Sequence, residues 1–185
     1  LYDDMGGQMA ARGWWMFRWL GHEATAVLDG GLQRWQRPLA SDTPEIPSPS
    51  NYQPKQALTR LWQVQEVEHN LNQPTHQLVD ARSAERFRGE QEPIDPVSGH
   101  IPSAICLPST DNLAPSGLFK TPEDLRERFA DISSTNTVCY CGSGVTATHN
   151  ILAIRLAGMA EPVLYADSWS GWITDSDRPI ATENT

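Results

Sequence analysis

The chain has 185 residues, 39% of them apolar and seven of them tryptophan, which is enough to bury a sizeable core and too apolar for a disordered segment. Its net charge of −9 argues against general nucleic-acid binding, which needs a basic face for phosphates. Any anionic ligand must therefore be drawn in by a local cluster of arginines. Three cysteines without paired spacing argue against a disulfide framework and for a reducing compartment, so a cytoplasmic location is expected. No apolar run approaches membrane-spanning length, and no membrane partner is expected.

The first residues, "LYDDMGG", lack the basic start and apolar stretch of a signal peptide, and the chain is expected to open inside a strand. "AARGWWMFRWLG" follows as a helix, and "TAVLDGG" as a strand. From Pro38 to Pro54 five prolines stand among serine, aspartate and asparagine, a composition that excludes regular structure. Leu61, Val64, Val67 and Leu71 recur at helical spacing, and "QLVDAR" (77–82) and "AICLP" (104–108) are short buried-strand candidates. "TPEDLRERF" opens with Thr121 as N-cap, Pro122 at the first helical position and acidic residues in the first turn. Thr137 to Tyr140 reads as a strand, and Val145 to Leu156 as a helix packing on a sheet. Strands alternating with helices predict an α/β fold, a mainly parallel sheet with helices on both faces.

Two segments match one another. Tyr2, a loop, a helix ending in glycine, "TAVLDGG" and Trp35 parallel Tyr140, a loop, "ATHNILAIRLAG", "EPVLYADS" and Trp172 over almost equal lengths. We read an internal repeat in which Asp3 stands where Cys141 stands. The expected organisation is tandem. Residues 1–37 would be the end of a non-catalytic domain whose earlier part is absent, 38–57 a proline-rich linker, and 58–185 a catalytic domain.

Cys106 and Cys139 lie inside expected strands and read as small buried hydrophobes. Cys141 differs because it sits where a strand ends and a helix begins. Gly142 and Gly144 let the backbone curl, and Val145, Thr146 and Ala147 enter a helix whose free N–H groups and dipole favour negative charge. Such a turn favours the thiolate, the reactive form. Ser143 adds a hydroxyl able to donate to the sulfur or to a substrate.

"CGSGVTA" resembles the active-site loop of sulfurtransferases of the rhodanese superfamily, in the form typical of the 3-mercaptopyruvate enzymes. "VDARSAERFRGE", "SGHIPSAICLP" (with Ser103 in place of the usual glycine) and "YADSWSGW" resemble further motifs of that family, in the same order. "AARGWWMFRWLGHEATAVLDGGLQRW" resembles the end of its non-catalytic first domain. The resemblance implies a rhodanese-like fold. It also implies transfer of sulfur from 3-mercaptopyruvate or thiosulfate to cyanide, a thiol or thioredoxin through a persulfide on Cys141, without metal or organic cofactor. Arg86 would grip the donor's acid group, with Arg88 as a second candidate, while Asp80, Arg82 and His100 would be structural. Asp95 falls at about the place of a second substrate arginine in the mercaptopyruvate enzymes. The family's partners for the serine would lie in the absent first part of the chain. Two other readings use the same fold: a non-catalytic binding module, and a cysteine phosphatase, which would need an arginine where Ala147 stands.

Overall fold

The computed structural model describes residues 1–43, 45, 46 and 48–182. Its centre is a five-stranded, all-parallel sheet built from β1 (Leu61–Trp62), β2 (Gln77–Asp80), β3 (Ile105–Cys106), β4 (Thr137–Tyr140) and β5 (Val163–Tyr165), in the order β1-β5-β4-β2-β3. Val79 of β2 pairs with Ile105 on one side and Cys139 on the other. The connection after β2 runs outward to β3, whereas the one after β4 runs the opposite way to β5. A crevice therefore opens at the carboxyl ends of β2 and β4, where ligands of open α/β sheets bind.

Both faces are covered, which suits strands buried on two sides. One face packs α1 (Gln8–Trp19), α4 (Pro122–Arg128) and α5 (Thr146–Leu156) against Val79, Cys139, Cys141 and Leu164. The other packs α2 (Val64–Asn72), α3 (Ala84–Phe87) and α6 (Ser168–Trp172) against Leu78, Val138, Tyr140, Val163 and Tyr165. Successive residues of β4 alternate between these cores, as a pleated strand requires, so Cys139 and Cys141 share the α1–α5 side. The α4 start is as its sequence dictates: Thr121 Oγ1 accepts from the Asp124 amide (3.2 Å), and Pro122 opens the helix.

α1 docks on α5 by burying Trp14 and Trp15 in the shared core. Its other side leaves Met16, Phe17 and Trp19 exposed. Two expectations are corrected. "TAVLDGG" joins no sheet; its one strand-like feature is a pairing with the first residue, whose amine donates to the Ala26 carbonyl and whose carbonyl accepts from Leu28. A strand forms only where it has a partner, and Leu1 supplies one residue of it. Leu61, placed by spacing in a helix, instead pairs with Leu164, and the helix begins after Gln63. Between 38 and 57 the described residues form no helix or strand, though Tyr52 Oη and the Lys55 amide both bond the Leu20 carbonyl. Pro44 and Pro47 of that stretch, and residues 183–185 at the end, lie outside the described residues. Ser103 takes φ 63°, a left-handed conformation that glycine adopts without cost.

Candidate active site

Cys141 follows the last residue of β4, 2% exposed, with its backbone pinned on two sides by the segment that opens α6. Its amide donates to Ser168 Oγ (3.1 Å), which in turn donates to the Tyr165 carbonyl (2.9 Å). Its carbonyl accepts from the Trp169 amide (3.0 Å), and that of Gly142 accepts from Ser170 (2.9 Å). Gly144 has φ 72°, and a Cβ there would run into the carbonyl of Ala166, so the turn can close this tightly only with glycine. Among the described residues, no backbone N–H from Gly142 to Ala147 donates to a protein acceptor. These amides at the mouth of α5 are left available to an anion.

The turn floors a cavity of about 230 Å³. Cys141, Gly142, Ser143, Val145 and Thr146 come from the turn; Arg86, Ile94, Asp95 and Ser170 face them, and Gln8 and Met9 of α1 close the remaining side. Gly144 and Ala147 shape the turn from behind; Ala147 is fully buried. The other two thiols are unsuited to chemistry. Burial, reinforced by Asp80, pushes Cys106 up to about 12, and burial with the nearby Cys141 pushes Cys139 up as well. Neither is a thiolate at neutral pH.

Arg86 reaches the cavity, but not as a free cation. Its Nε lies 3.1 Å from both Glu92 oxygens, and its Nη2 bonds Glu92 Oε1 (2.6 Å) and Asp95 Oδ2 (3.2 Å). Asp95 is held from the other side by Ser170 Oγ (2.7 Å). Burial works against ionisation of Glu92, but Arg86 and the amides of Asp95 and Ile94 outweigh it and draw the carboxyl below its usual range. Nη1 of Arg86 keeps no protein partner among the described residues and lies on the Gly142 side of the cavity. Arg88 is not brought to the cavity: it forms a two-bond pair with Glu90 (2.7 and 2.8 Å) on the surface. Arg82 lies below the site in the core, clasped by Asp80 Oδ2 (2.7 Å), Glu92 and the Gly99 carbonyl (2.6 Å) and stacked over Trp169. His100 is fully buried, donating from Nδ1 to the Phe87 carbonyl (2.7 Å) and stacked on the Phe87 ring. His100 thus braces the end of α3, which carries Arg86, and Arg82 braces the loop of Glu92 and Asp95.

Sequence reasoning missed Glu92, Ser170, Gln8 and Met9. Ser170 sits inside "YADSWSGW", a motif whose serines carry no mark of their role, and Glu92 lies in the stretch between two motifs, three residues before Asp95. Gln8 and Met9 belong to α1, far away in sequence, and nothing local marks them.

A cysteine-bearing turn at the switch point of a parallel sheet defines the class. The chain belongs to the rhodanese-like domain family, whose model matches residues 63–175. It is 47% identical over 189 residues to a probable 3-mercaptopyruvate sulfurtransferase of Pseudomonas aeruginosa, an alignment covering 98% of this chain and 66% of that protein. It is 38% identical over 179 residues to a thiosulfate sulfurtransferase of Mus musculus, covering 92% of this chain and 60% of that one. The solved 3-mercaptopyruvate sulfurtransferase from Leishmania major superposes with a TM-score of 0.77 at 32% identity, over 95% of this chain and 51% of its own. The chain thus spans less than two thirds of the length of these relatives.

Proposed function

We propose that this chain carries the reaction centre of a sulfurtransferase that moves sulfur from 3-mercaptopyruvate or thiosulfate to a thiophilic acceptor. The observation that carries the reading is the turn from Gly142 to Ala147, whose amides donate to no protein acceptor among the described residues and lie beside a cysteine that lines a cavity. The Cys141 thiolate attacks the outer sulfur of the donor and forms a persulfide. With thiosulfate, the sulfur–sulfur bond breaks and sulfite leaves; with 3-mercaptopyruvate, the carbon–sulfur bond breaks and the enolate of pyruvate leaves and takes a proton. Cyanide, a thiol or reduced thioredoxin then takes the outer sulfur and returns the thiolate. Two easier displacements replace one hard transfer. No step calls for a cofactor. Arg86 Nη1 is the group placed to meet the donor's acid group, and guanidinium geometry suits it.

The relatives include enzymes named for each donor, and the site offers a reason to keep both. Asp95 fills one side of Arg86, which disfavours a second acid contact, whereas Ser143 is exposed in the cavity that Cys141 lines and able to serve the enolate. The exposed side of α1, with Met16, Phe17 and Trp19, is where we place the remainder of a first domain. A cytoplasmic setting follows from the thiol chemistry and is part of the same proposal.

The test is thiocyanate formation from each donor, with the mass of the protein read after donor treatment. One added sulfur on Cys141 is expected; its appearance on Cys139, or hydrolysis of a phosphate ester without sulfur transfer, overturns the reading. Ser143→Ala is expected to slow 3-mercaptopyruvate turnover more than thiosulfate turnover, because sulfite leaves as a stable anion and the enolate needs a proton. Equal slowing of both would reduce "CGSG" to a loop shape.

A further inference from the structure

One carboxylate of the ion-pair group beneath the site reaches the cavity. Arg82 and Arg86 are answered by Asp80, Glu92 and Asp95, three carboxylates against two guanidiniums. Asp80 and Glu92 are enclosed by protein, whereas Asp95 lines the cavity together with Cys141 and Ser143. The negative charge in excess therefore stands at the cavity wall, where a ligand that brings a cation to it is favoured. Asp95 has room to accept one. Its Oδ1 takes a single bond from Ser170 Oγ (2.7 Å) and its Oδ2 a single bond from Arg86 Nη2 (3.2 Å), so each oxygen keeps a lone pair.

Arg86 offers the opposite charge beside it, through the Nη1 that no protein group takes among the described residues. Gly142 marks where the two charges converge. A Cβ there would lie 3.6 Å from each Nη of Arg86 and 4.0 Å from Asp95 Oδ2. A guanidinium and a carboxylate thus flank the residue that follows Cys141. The ammonium and carboxylate of an α-amino acid stand on one carbon and need this kind of adjacent, opposite pair. Met9 and Val145 add apolar wall for the carbon that would carry a thiol.

We propose that Asp95 is a specificity residue of this cavity, accepting the ammonium group of an α-amino-acid thiol whose carboxylate lies on Arg86 Nη1. Such a thiol is the sulfur acceptor. Its sulfur attacks the outer sulfur of the persulfide, the bond from that sulfur to Cys141 breaks, and Cys141 returns to the thiolate. The proton that the thiol gives up ends on the new amino-acid persulfide, and no outside oxidant or reductant is consumed. The transfer step rests on the sulfurtransferase reading; the recognition by Asp95 and Arg86 does not.

The test therefore reads recognition apart from turnover. Alkylation of Cys141 by iodoacetamide is followed by peptide mass in the presence of S-methyl-L-cysteine or of 3-(methylthio)propanoate, which lacks only the ammonium group. Half-protection is expected at about tenfold lower concentration of the amino acid, the order of one charge-assisted hydrogen bond. Asp95→Asn is expected to remove most of that difference. Glu90→Gln, which deletes an equal charge from a surface pair with Arg88, should keep it. With sulfur loaded on Cys141, the kcat/KM ratio of L-cysteine to N-acetyl-L-cysteine should fall by about tenfold in Asp95→Asn relative to the unaltered chain, a comparison in which thiol acidity cancels. Equal protection of the unaltered chain by both ligands, or by neither, overturns the proposal even if Asp95→Asn does not fold. A folded Asp95→Asn that keeps the preference overturns it as well. Protection as expected in a chain that moves no sulfur to any acceptor upholds the recognition and defeats the functional reading alone.

Discussion

Two turns in this molecule face the same physical problem and resolve it differently. One begins at Asp3 and leads into α1 at Gln8; the other begins at Cys141 and leads into α5 at Thr146. Each presents backbone N–H groups that the helix cannot use. In the first, the chain supplies its own anion: Asp3 Oδ1 accepts from Met5 (3.0 Å) and Gly7 (2.8 Å), and Oδ2 from Ala10 (2.8 Å). Burial raises the Asp3 pKa, but the amides of Ala10, Gly7, Met5 and Met9 outweigh it and hold the carboxyl below its usual range. In the second, the side chain at the start of the turn is the Cys141 thiol, and among the described residues the amides of 142–147 donate to no protein acceptor. The difference teaches that a turn leading into a helix is either closed by a carboxylate of its own, as at Asp3, or left open to an anion, as at Cys141.

The largest effect is expected from closing the open turn. Cys141→Ser and Cys141→Asp should both end sulfur transfer, while Cys139→Ser and Cys106→Ser should keep most of it. If the comparison holds, the Asp variant gives the amides of 142–147 a carboxylate and should unfold at a higher temperature than the Ser variant. Thermal unfolding of the two side by side decides it, and an Asp variant no more stable than Ser would break the analogy between the turns.

Next comes the arginine that only the open turn has across from it. Arg86→Ala is expected to lower kcat/KM for either donor by about ten- to hundredfold, the loss of a charge-assisted contact of roughly 1.5–3 kcal/mol. It also leaves Glu92 and Asp95 without their partner, so folded fraction must be measured alongside the kinetics. A loss confined to one donor would show that the other donor's acid group is held elsewhere.

These residues also mark how far the sequence was legible. The strand at 137–140, the glycine-flanked turn and the Thr121 cap could be read because each depends on neighbours within a few positions. The sheet with helices on both faces followed from the alternation of such segments. What escaped depends on distance in the chain. Arg86 reads as a free cation until folding brings Glu92 and Asp95 to it. Gln8 and Met9 look like the ordinary polar and apolar positions of a helix, and only its docking on α5 carries them to the Cys141 cavity. "TAVLDGG" has the composition of a strand, but composition cannot supply the partner strand that a ladder needs. Arg88 failed for the opposite reason: its neighbour Glu90 holds it at the surface.

A third test uses the group that ties the two turns together. His149 on α5 donates from Nε2 to the Gly6 carbonyl (3.0 Å), and its Nδ1 accepts from Asn112 (3.0 Å). Burial lowers its pKa, with the Gly6 bond and Asp3 opposing, so the folded chain holds it neutral. The unfolded chain, with a histidine pKa of about 6.5, binds more protons just below that value. The stability it contributes is therefore complete above about pH 6.5 and falls as the pH drops, by up to about 1.4 kcal/mol per unit. His149→Gln is expected to flatten this slope in unfolding measured between pH 7.5 and 5.5. His100, also lowered by burial, supplies a second slope that the variant leaves in place.

The smallest effect is expected at the closed turn, and it bears most directly on the comparison. Asp3→Ala removes three hydrogen bonds to a carboxylate that is still partly open to solvent. The expected cost is about 1–2 kcal/mol of stability after allowing for that exposure. Because the folded Asp3 pKa is lowered, its contribution is present above about pH 4 and lost as the pH falls through the folded value. Asp3→Asn should fall between, since an amide keeps one acceptor for Met5 and Gly7 and turns an N–H toward that of Ala10. Neither variant touches the Cys141 cavity directly, so sulfur transfer per folded molecule should change by less than about twofold, in line with substitutions away from a site. A drop as large as that of Arg86→Ala would mean that the knot at Asp3 positions α1, and with it Gln8 and Met9, for the chemistry. The closed turn would then be part of the open one's machinery.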